Sequence, residues 1–240
     1  MKRVVKLGLF VAIIFQPQSL FAMHIAEGFL PANWCVFWYI VSLPFVIWGV
    51  KIIKKRMEAN SQSNLLLGVA GGFSFLLSAL KLPSFTGSCS HMIGTGLGAI
   101  LFGPAVMSVI GLIVLFFQAL FLAHGGFSTL GANVFSMGIV GPLVSWFIYK
   151  WLISTTFKQS HIVFVAVSMG SLLTYCVTSF QLAIAFPGES GLLTSFIKFV
   201  SLFGVTQIPL SIVEGIISML MFNFIKANNI EQLNLIQSTK

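Results

Sequence analysis

Met23 and His24 are the residues whose placement could do the most chemistry, because of what precedes them. If the leading segment is removed after Ala22, a free α-amine stands one residue from an imidazole. The Met23 amine, the His24 backbone nitrogen and the His24 ring then form adjoining five- and six-membered chelate rings around one ion, and His91 can supply a fourth nitrogen. An all-nitrogen planar set suits nickel or copper, with cobalt a close relative; zinc prefers a tetrahedron. Ligation by a backbone nitrogen requires loss of its proton, so such a site weakens at low pH.

The cleavage expectation rests on three regions in order. Lys2, Arg3 and Lys6 form a charged n-region, residues 7–15 an apolar core, and residues 16–22 lead to a cut after Ala22. The apolar core is shorter than the roughly 20 residues a spanning helix needs. Leu20 at the −3 position is larger than usual, and the alternative reading is an uncleaved N-terminal anchor.

A hydrophobic fraction of 57%, a charged fraction of 8% and a mean hydropathy of +1.00 exclude an ordinary soluble domain and imply an all-α integral membrane protein. The net charge of +8 is not the footprint of a nucleic-acid binder, since the basic residues are sparse and form no stripe with aromatics. Cys35, Cys89 and Cys176 are far apart and contain no CxxC pair, which argues against a disulfide framework or a zinc site.

Apolar runs and breakers predict seven spans after the leader, near residues 32–53, 64–82, 91–102, 105–123, 133–153, 162–186 and 206–225. An amphipathic stretch at 192–203 precedes the last, as an interfacial or continuous helix. Pro83, Gly103-Pro104, Gly125-Gly126 and Pro187-Gly188 mark boundaries, and Pro44, Pro142 and Pro209 fall inside spans, where membrane helices tolerate them. The division is residues 1–22 as leader, 23–226 as one multi-helix domain and 227–240 as a cytoplasmic tail. Lys51, Lys54, Lys55 and Arg56, with Lys150, Lys158 and Lys226, place their ends in the cytoplasm and the mature N-terminus outside. Lys81 and Lys198 run against this, but the cluster outweighs them.

That topology gathers His24, His91 and His124 on one side and leaves His161 at the cytoplasmic interface. The third span, with only 12 residues from 91 to 102, covers roughly 18 Å of a hydrocarbon core about 30 Å thick, so its start lies below the outer surface. The preceding loop, with Cys89 and Ser90, then dips into the protein and lines a site. Glu27 is close enough in sequence to orient His24 or attract cations, or else to start a helix. Glu214 is an intramembrane carboxylate and so a functional candidate, with helix-to-helix hydrogen bonding the leading alternative. Asn133 is placed to cap the fifth helix, and Gly68/Gly72 form a small-xxx-small pair for close helix approach.

The start from Met23-His24-Ile25-Ala26-Glu27-Gly28 to Pro31, the loop Thr86-Gly87-Ser88-Cys89-Ser90-His91, the run from Gly98 to Gly103-Pro104, and His124-Gly125-Gly126 through Gly131-Ala132-Asn133 to Gly138 together resemble the CbiM/NikM family. These are substrate-binding subunits of energy-coupling-factor cobalt and nickel transporters. The resemblance spans essentially all of the chain after the leader. It implies a seven-helix bacterial inner-membrane subunit whose processed N-terminus is inserted to ligate the ion. Met23, His24 and His91 are the implied ligands, with Glu27, Cys89, Ser90, His124 and Asn133 lining the site and His124 outside the ligand set.

The motif around His91 looks more like the cobalt branch, so Co2+ for cobalamin synthesis is the implied cargo and Ni2+ the alternative. Implied partners are a transmembrane coupling subunit, ATP-binding cassette ATPases and a small membrane accessory subunit, with Gly68 and Gly72 as candidate coupling surfaces. The chain has no GxxxxGK[ST] pattern, so it is expected to be a transport subunit rather than an enzyme. An intramembrane metalloprotease would need an HExxH-type pair or a poised carboxylate, neither of which is present. A vitamin-binding subunit would favour an apolar pocket.

Overall fold

The computed structural model describes residues 24–59, 62–79, 81–83, 89–189 and 191–228. Among them are seven helices in chain order: α1 (Ala32–Ala59), α2 (Gln62–Ala79), α3 (Thr95–Phe102), α4 (Pro104–Leu122), α5 (Leu130–Leu152), α6 (Gln159–Ala185) and α7 (Leu192–Asn228). Between α2 and α3 lies a small antiparallel ribbon, β1 (Lys81–Pro83) and β2 (Cys89–His91), in which Lys81 faces His91 and Pro83 faces Cys89.

Five of the helices, α1, α4, α5, α6 and α7, are long and apolar enough to cross a membrane. The apolar part of α2 is shorter, at Leu65–Ala79. Large apolar side chains on the outside of α1, among them Ile40, Leu43 and Trp48, are exposed, which suits a lipid-facing helix. The amphipathic stretch and the last expected span form one continuous 37-residue helix with Pro209 inside it.

The expected second and third spans need correction. The helix expected over 64–82 stops at Ala79, and the one expected from residue 91 begins only at Thr95. Gly94 is the reason: its φ of 73° is left-handed, which breaks the helix one residue before Thr95. His91 is therefore the last residue of a strand and not the first of a helix. What remains, α3, has 8 residues and a length of about 12 Å.

Every residue of α3 is buried, so this half-helix sits inside the bundle, where its free ends are shielded from lipid. Its C-terminus meets Arg56 of α1, whose guanidinium donates to the Phe102 carbonyl at 2.7 Å, a favourable pairing of cation and helix C-terminus. Around α3 the core consists of Leu97, Ile100, Met107, Val163, Val167 and Phe222. The side chains of Ser171, Thr174, Thr178 and Gln181 on α6 are buried, as expected where polar groups bind membrane helices to one another.

Helix α5 widens to a π-helix over Val134–Val140 just before Pro142, and the Gly141 N–H reaches back to the Ser136 carbonyl. Proline has no N–H for the normal ladder, and π-turns of this kind recur at functional sites. Here the wide turn brings Gly138 so close to Gly111 of α4 that a Cβ on Gly111 would lie 2.8 Å from the Gly138 Cα.

Candidate metal centre

Three backbone devices bring three histidines together. The segment carrying His24 is held through its neighbour: Asn133 accepts from the Ile25 N–H at 2.9 Å and donates to the Ile25 carbonyl at 3.1 Å. The Thr129 hydroxyl donates to the same carbonyl at 2.6 Å. His91 ends β2, and the turn after it is clamped by Glu214 of α7, which accepts from the N–H groups of Ile93 at 3.1 Å and Gly94 at 2.8 Å and from Ser171 at 2.9 Å. His124 follows α4 directly, after Ala123 turns the chain with a φ of 47°, and its N–H donates to the Gln118 carbonyl at 3.2 Å.

One nitrogen from each of His24, His91 and His124 lies within 4.8 Å of the other two. All three side chains are buried. The rings of His24 and His91 stack with centroids 4.5 Å apart, and His124 stands edge-on to His24 at 4.4 Å and to His91 at 4.9 Å.

The orientation of His91 follows from its neighbour. Its Nδ1 lies 2.7 Å from the Met92 carbonyl, which can only accept, so Nδ1 carries the proton and the neutral ring presents a lone pair at Nε2. That Nε2 lies 2.6 Å from His24 Nδ1. Two ring nitrogens this close require a proton or a cation between them.

For a cation the spacing is informative. Nitrogens about 2.0–2.1 Å from one ion stand roughly 2.9 Å apart at a right angle and roughly 3.4 Å apart at tetrahedral corners. The observed 2.6 Å is nearer the right angle. Moreover, Nδ1 is the His24 ring nitrogen that closes a six-membered chelate with the residue's own backbone nitrogen, so the ring face turned toward His91 is the one a terminal chelate needs.

The other sequence candidates divide by position. Met23 lies outside the described residues. Cys89 and Ser90 lie on β2 beside His91 in the backbone, and their side chains are outside the described set. Asn133 is at the site, but it grips Ile25 and does not cap: α5 begins at Leu130 and Thr129 occupies its N-cap. Glu27 is exposed and accepts from the Ser128 N–H at 3.0 Å. The Ser128 hydroxyl and then its backbone N–H hold the Glu27 carboxyl below the usual carboxylate range, against a smaller opposing effect of burial. Glu214 holds the turn after His91 through both of its carboxylate oxygens.

Gly68 and Gly72 are remote from the histidines. They line an open apolar groove between α1, α2 and α4 with Ile53, Phe75 and Phe117, and a Cβ on either would meet nothing within 4 Å. One further residue at the site carried no sequence signal. Gln118 of α4 is fully buried and lines a small cavity with His24, His91, Thr95 and Met137.

Comparison with known proteins gives the chain a family. The family profile described as CbiM, cobalt uptake substrate-specific transmembrane region, matches residues 24–231. The cobalt transport protein CbiM of Desulforamulus reducens is 59% identical over 220 residues, covering 91% of this chain and 87% of that protein. That of Moorella thermoacetica is 52% identical over 233 residues, covering 95% and 90%. A crystal structure of a truncated transition metal transporter shares the fold at a TM-score of 0.75 and 23% identity, covering 84% of this chain and 97% of that one. The chain belongs to the CbiM family of cobalt-uptake substrate-specific transmembrane proteins.

Proposed function

We propose that this chain is the ion-capture subunit of an energy-coupled importer and that its cargo is Co2+. The observation that carries the reading is the facing pair of His24 Nδ1 and His91 Nε2, 2.6 Å apart, with His91 set by the Met92 carbonyl. Cleavage after Ala22 frees the Met23 amine. That amine, the His24 backbone nitrogen, His24 Nδ1 and His91 Nε2 then surround the ion with four nitrogens. With the backbone nitrogen deprotonated, the donor set carries one negative charge against the ion's two positive ones, so the complex buries one unit of charge where neutral donors would leave two.

His124 packs edge-on against both rings and keeps them facing each other without ligating. Asn133 and Glu214 are positioning residues: one fixes the peptide after His24, the other the turn after His91. The lysine and arginine cluster at 51–56 supports an outward-facing site and loading from outside. Energy then comes from ATP-binding cassette partners through a transmembrane coupling subunit, with a small membrane accessory subunit completing the complex. The groove at Gly68 and Gly72 is the candidate coupling surface. The relatives' name, cobalt transport protein, supports cobalt as cargo, and Ni2+ is the competitor that a planar nitrogen set also suits.

Equilibrium dialysis of the purified mature chain against cobalt, nickel and candidate vitamins tests this reading. Tight cobalt binding at one ion per chain is expected, and a chain that takes up a vitamin and neither metal would overturn it.

A further inference from the structure

Both histidine-bearing segments are tied to the same stretch of α5. Asn133 holds the peptide after His24, and on the next turn of that helix the Met137 carbonyl accepts from the Thr95 hydroxyl at 2.9 Å. Thr95 opens α3, directly after the left-handed Gly94 that ends the turn following His91. Glu214 of α7 holds this turn by the N–H groups of Ile93 and Gly94, and the Ser74 hydroxyl of α2 donates to the Gly94 carbonyl at 3.0 Å. Thr95 adds a hold from α5, the helix that also grips Ile25.

The way α5 is wound opens the Met137 carbonyl to Thr95. An α-helical register would turn the Gly141 N–H onto it, but that N–H goes to the Ser136 carbonyl, one residue further back. A π-helical register would use the N–H of residue 142, and Pro142 has none. Both places in the helix ladder that could serve the carbonyl are therefore closed, and a buried carbonyl needs a partner. Met137 and Thr95 are both buried and both line the small cavity beside His24 and His91. Because a carbonyl only accepts, the hydroxyl proton of Thr95 is committed to it.

We propose that Thr95 is a positioning residue for His91, and that the π-helical stretch of α5 is the shared reference that sets His24 Nδ1 against His91 Nε2. This rests on ion capture by those two nitrogens. Asn133 fixes the peptide after His24, and Thr95 fixes where the turn after His91 enters α3. The hydroxyl of Thr95 does this work and its methyl does not. Pro142 contributes by withholding the N–H that would otherwise serve the same carbonyl.

Cobalt titrations and thermal melts of the mature chain in detergent compare Thr95→Val, Thr95→Ser and the double variant Thr95→Val with Pro142→Ala. Thr95→Val keeps the shape and removes the donor, so cobalt affinity should fall about tenfold and the melting temperature should drop as the Met137 carbonyl loses its partner. Thr95→Ser keeps the hydroxyl and should keep both. In the double variant the new N–H at position 142 can serve the Met137 carbonyl, so the melting temperature should recover while the affinity stays about tenfold down. Affinity that returns together with stability would make the bond purely structural and overturns the proposal. So does wild-type affinity in Thr95→Val, or a Thr95→Ser chain as weak as Thr95→Val. Failure of both valine-bearing chains to fold also overturns it, by placing the bond in the fold and not in the site. Wild-type protein that binds no cobalt refutes the histidine capture itself, a separate outcome.

Discussion

Asn133 binds both polar groups of a single peptide unit, accepting from the Ile25 N–H at 2.9 Å and donating to the Ile25 carbonyl at 3.1 Å. The two residues are 108 positions apart, so the segment that carries His24 is docked on α5 as a strand would be on its neighbour. Replacing Asn133 with leucine leaves the buried Ile25 N–H without a partner, a penalty of about 1–3 kcal/mol. Cobalt affinity should fall about 10- to 100-fold, the usual effect of removing a group that orients a ligand, with a lower melting temperature in detergent. Isothermal titration alongside a thermal melt checks both, and unchanged affinity would show that the His24 segment is held elsewhere.

Glu214 meets three donors: the N–H groups of Ile93 and Gly94 and the Ser171 hydroxyl. A carboxylate accepts all three, whereas the amide of Glu214→Gln has one oxygen and must turn its NH2 toward at least one donor. The turn after His91 should loosen, and cobalt affinity should fall about tenfold although the side chain never touches the ion. Hydrogen exchange at Ile93 and Gly94 should rise in parallel. Weaker binding with unaltered exchange would point to a direct electrostatic role instead.

His91 and His124 should separate cleanly. His91→Ala removes a proposed ligand and should abolish tight binding. His124→Ala removes the ring packed edge-on against His24 and should weaken binding by about tenfold, while leaving the cobalt absorption spectrum in place. A His124→Ala spectrum showing one nitrogen fewer would make His124 a ligand.

Glu27 gives a pH signature separate from the metal. Its folded carboxyl is held below the ordinary value by the Ser128 hydroxyl and N–H. The folded state therefore binds fewer protons than the unfolded one, so its contribution is present above the unfolded value and lost as pH falls through the folded one. The melting temperature of the metal-free chain should exceed that of Glu27→Gln by a small margin at neutral pH, and the gap should close in acid. Since Glu27 is exposed, the margin is small, and a gap that widened in acid would contradict the assignment.

The histidines were legible because imidazole is scarce in a chain with 4 His and because apolar runs and breakers bring three of them to one end. The short third helix was legible from its length, though not its start: the left-handed turn at Gly94 carries no periodic signal. The ribbon of β1 and β2 was invisible, because three residues a side form too short an alternation and Pro83 reads as a breaker. Long-range hydrogen bonds were hardest. Asn133 reads locally as a cap, and only the fold reveals its grip on Ile25. Gln118 sits on a helix that is otherwise apolar through Leu115, Phe116 and Phe117, with no neighbour in sequence to mark it.

The central claim is that the Met23 amine and the His24 backbone and ring nitrogens grip the ion together with His91. Its most direct test is cobalt affinity of the chain beginning at Met23, confirmed by intact mass, against the same chain with one extra alanine ahead of Met23. The extra residue turns the amine into an amide and leaves every described side chain in place. The account predicts tight binding of one ion by the first and loss of at least about 100-fold in the second, a ligand lost outright where an orienting partner alone costs about 10- to 100-fold. Equal affinity in the two chains would contradict it.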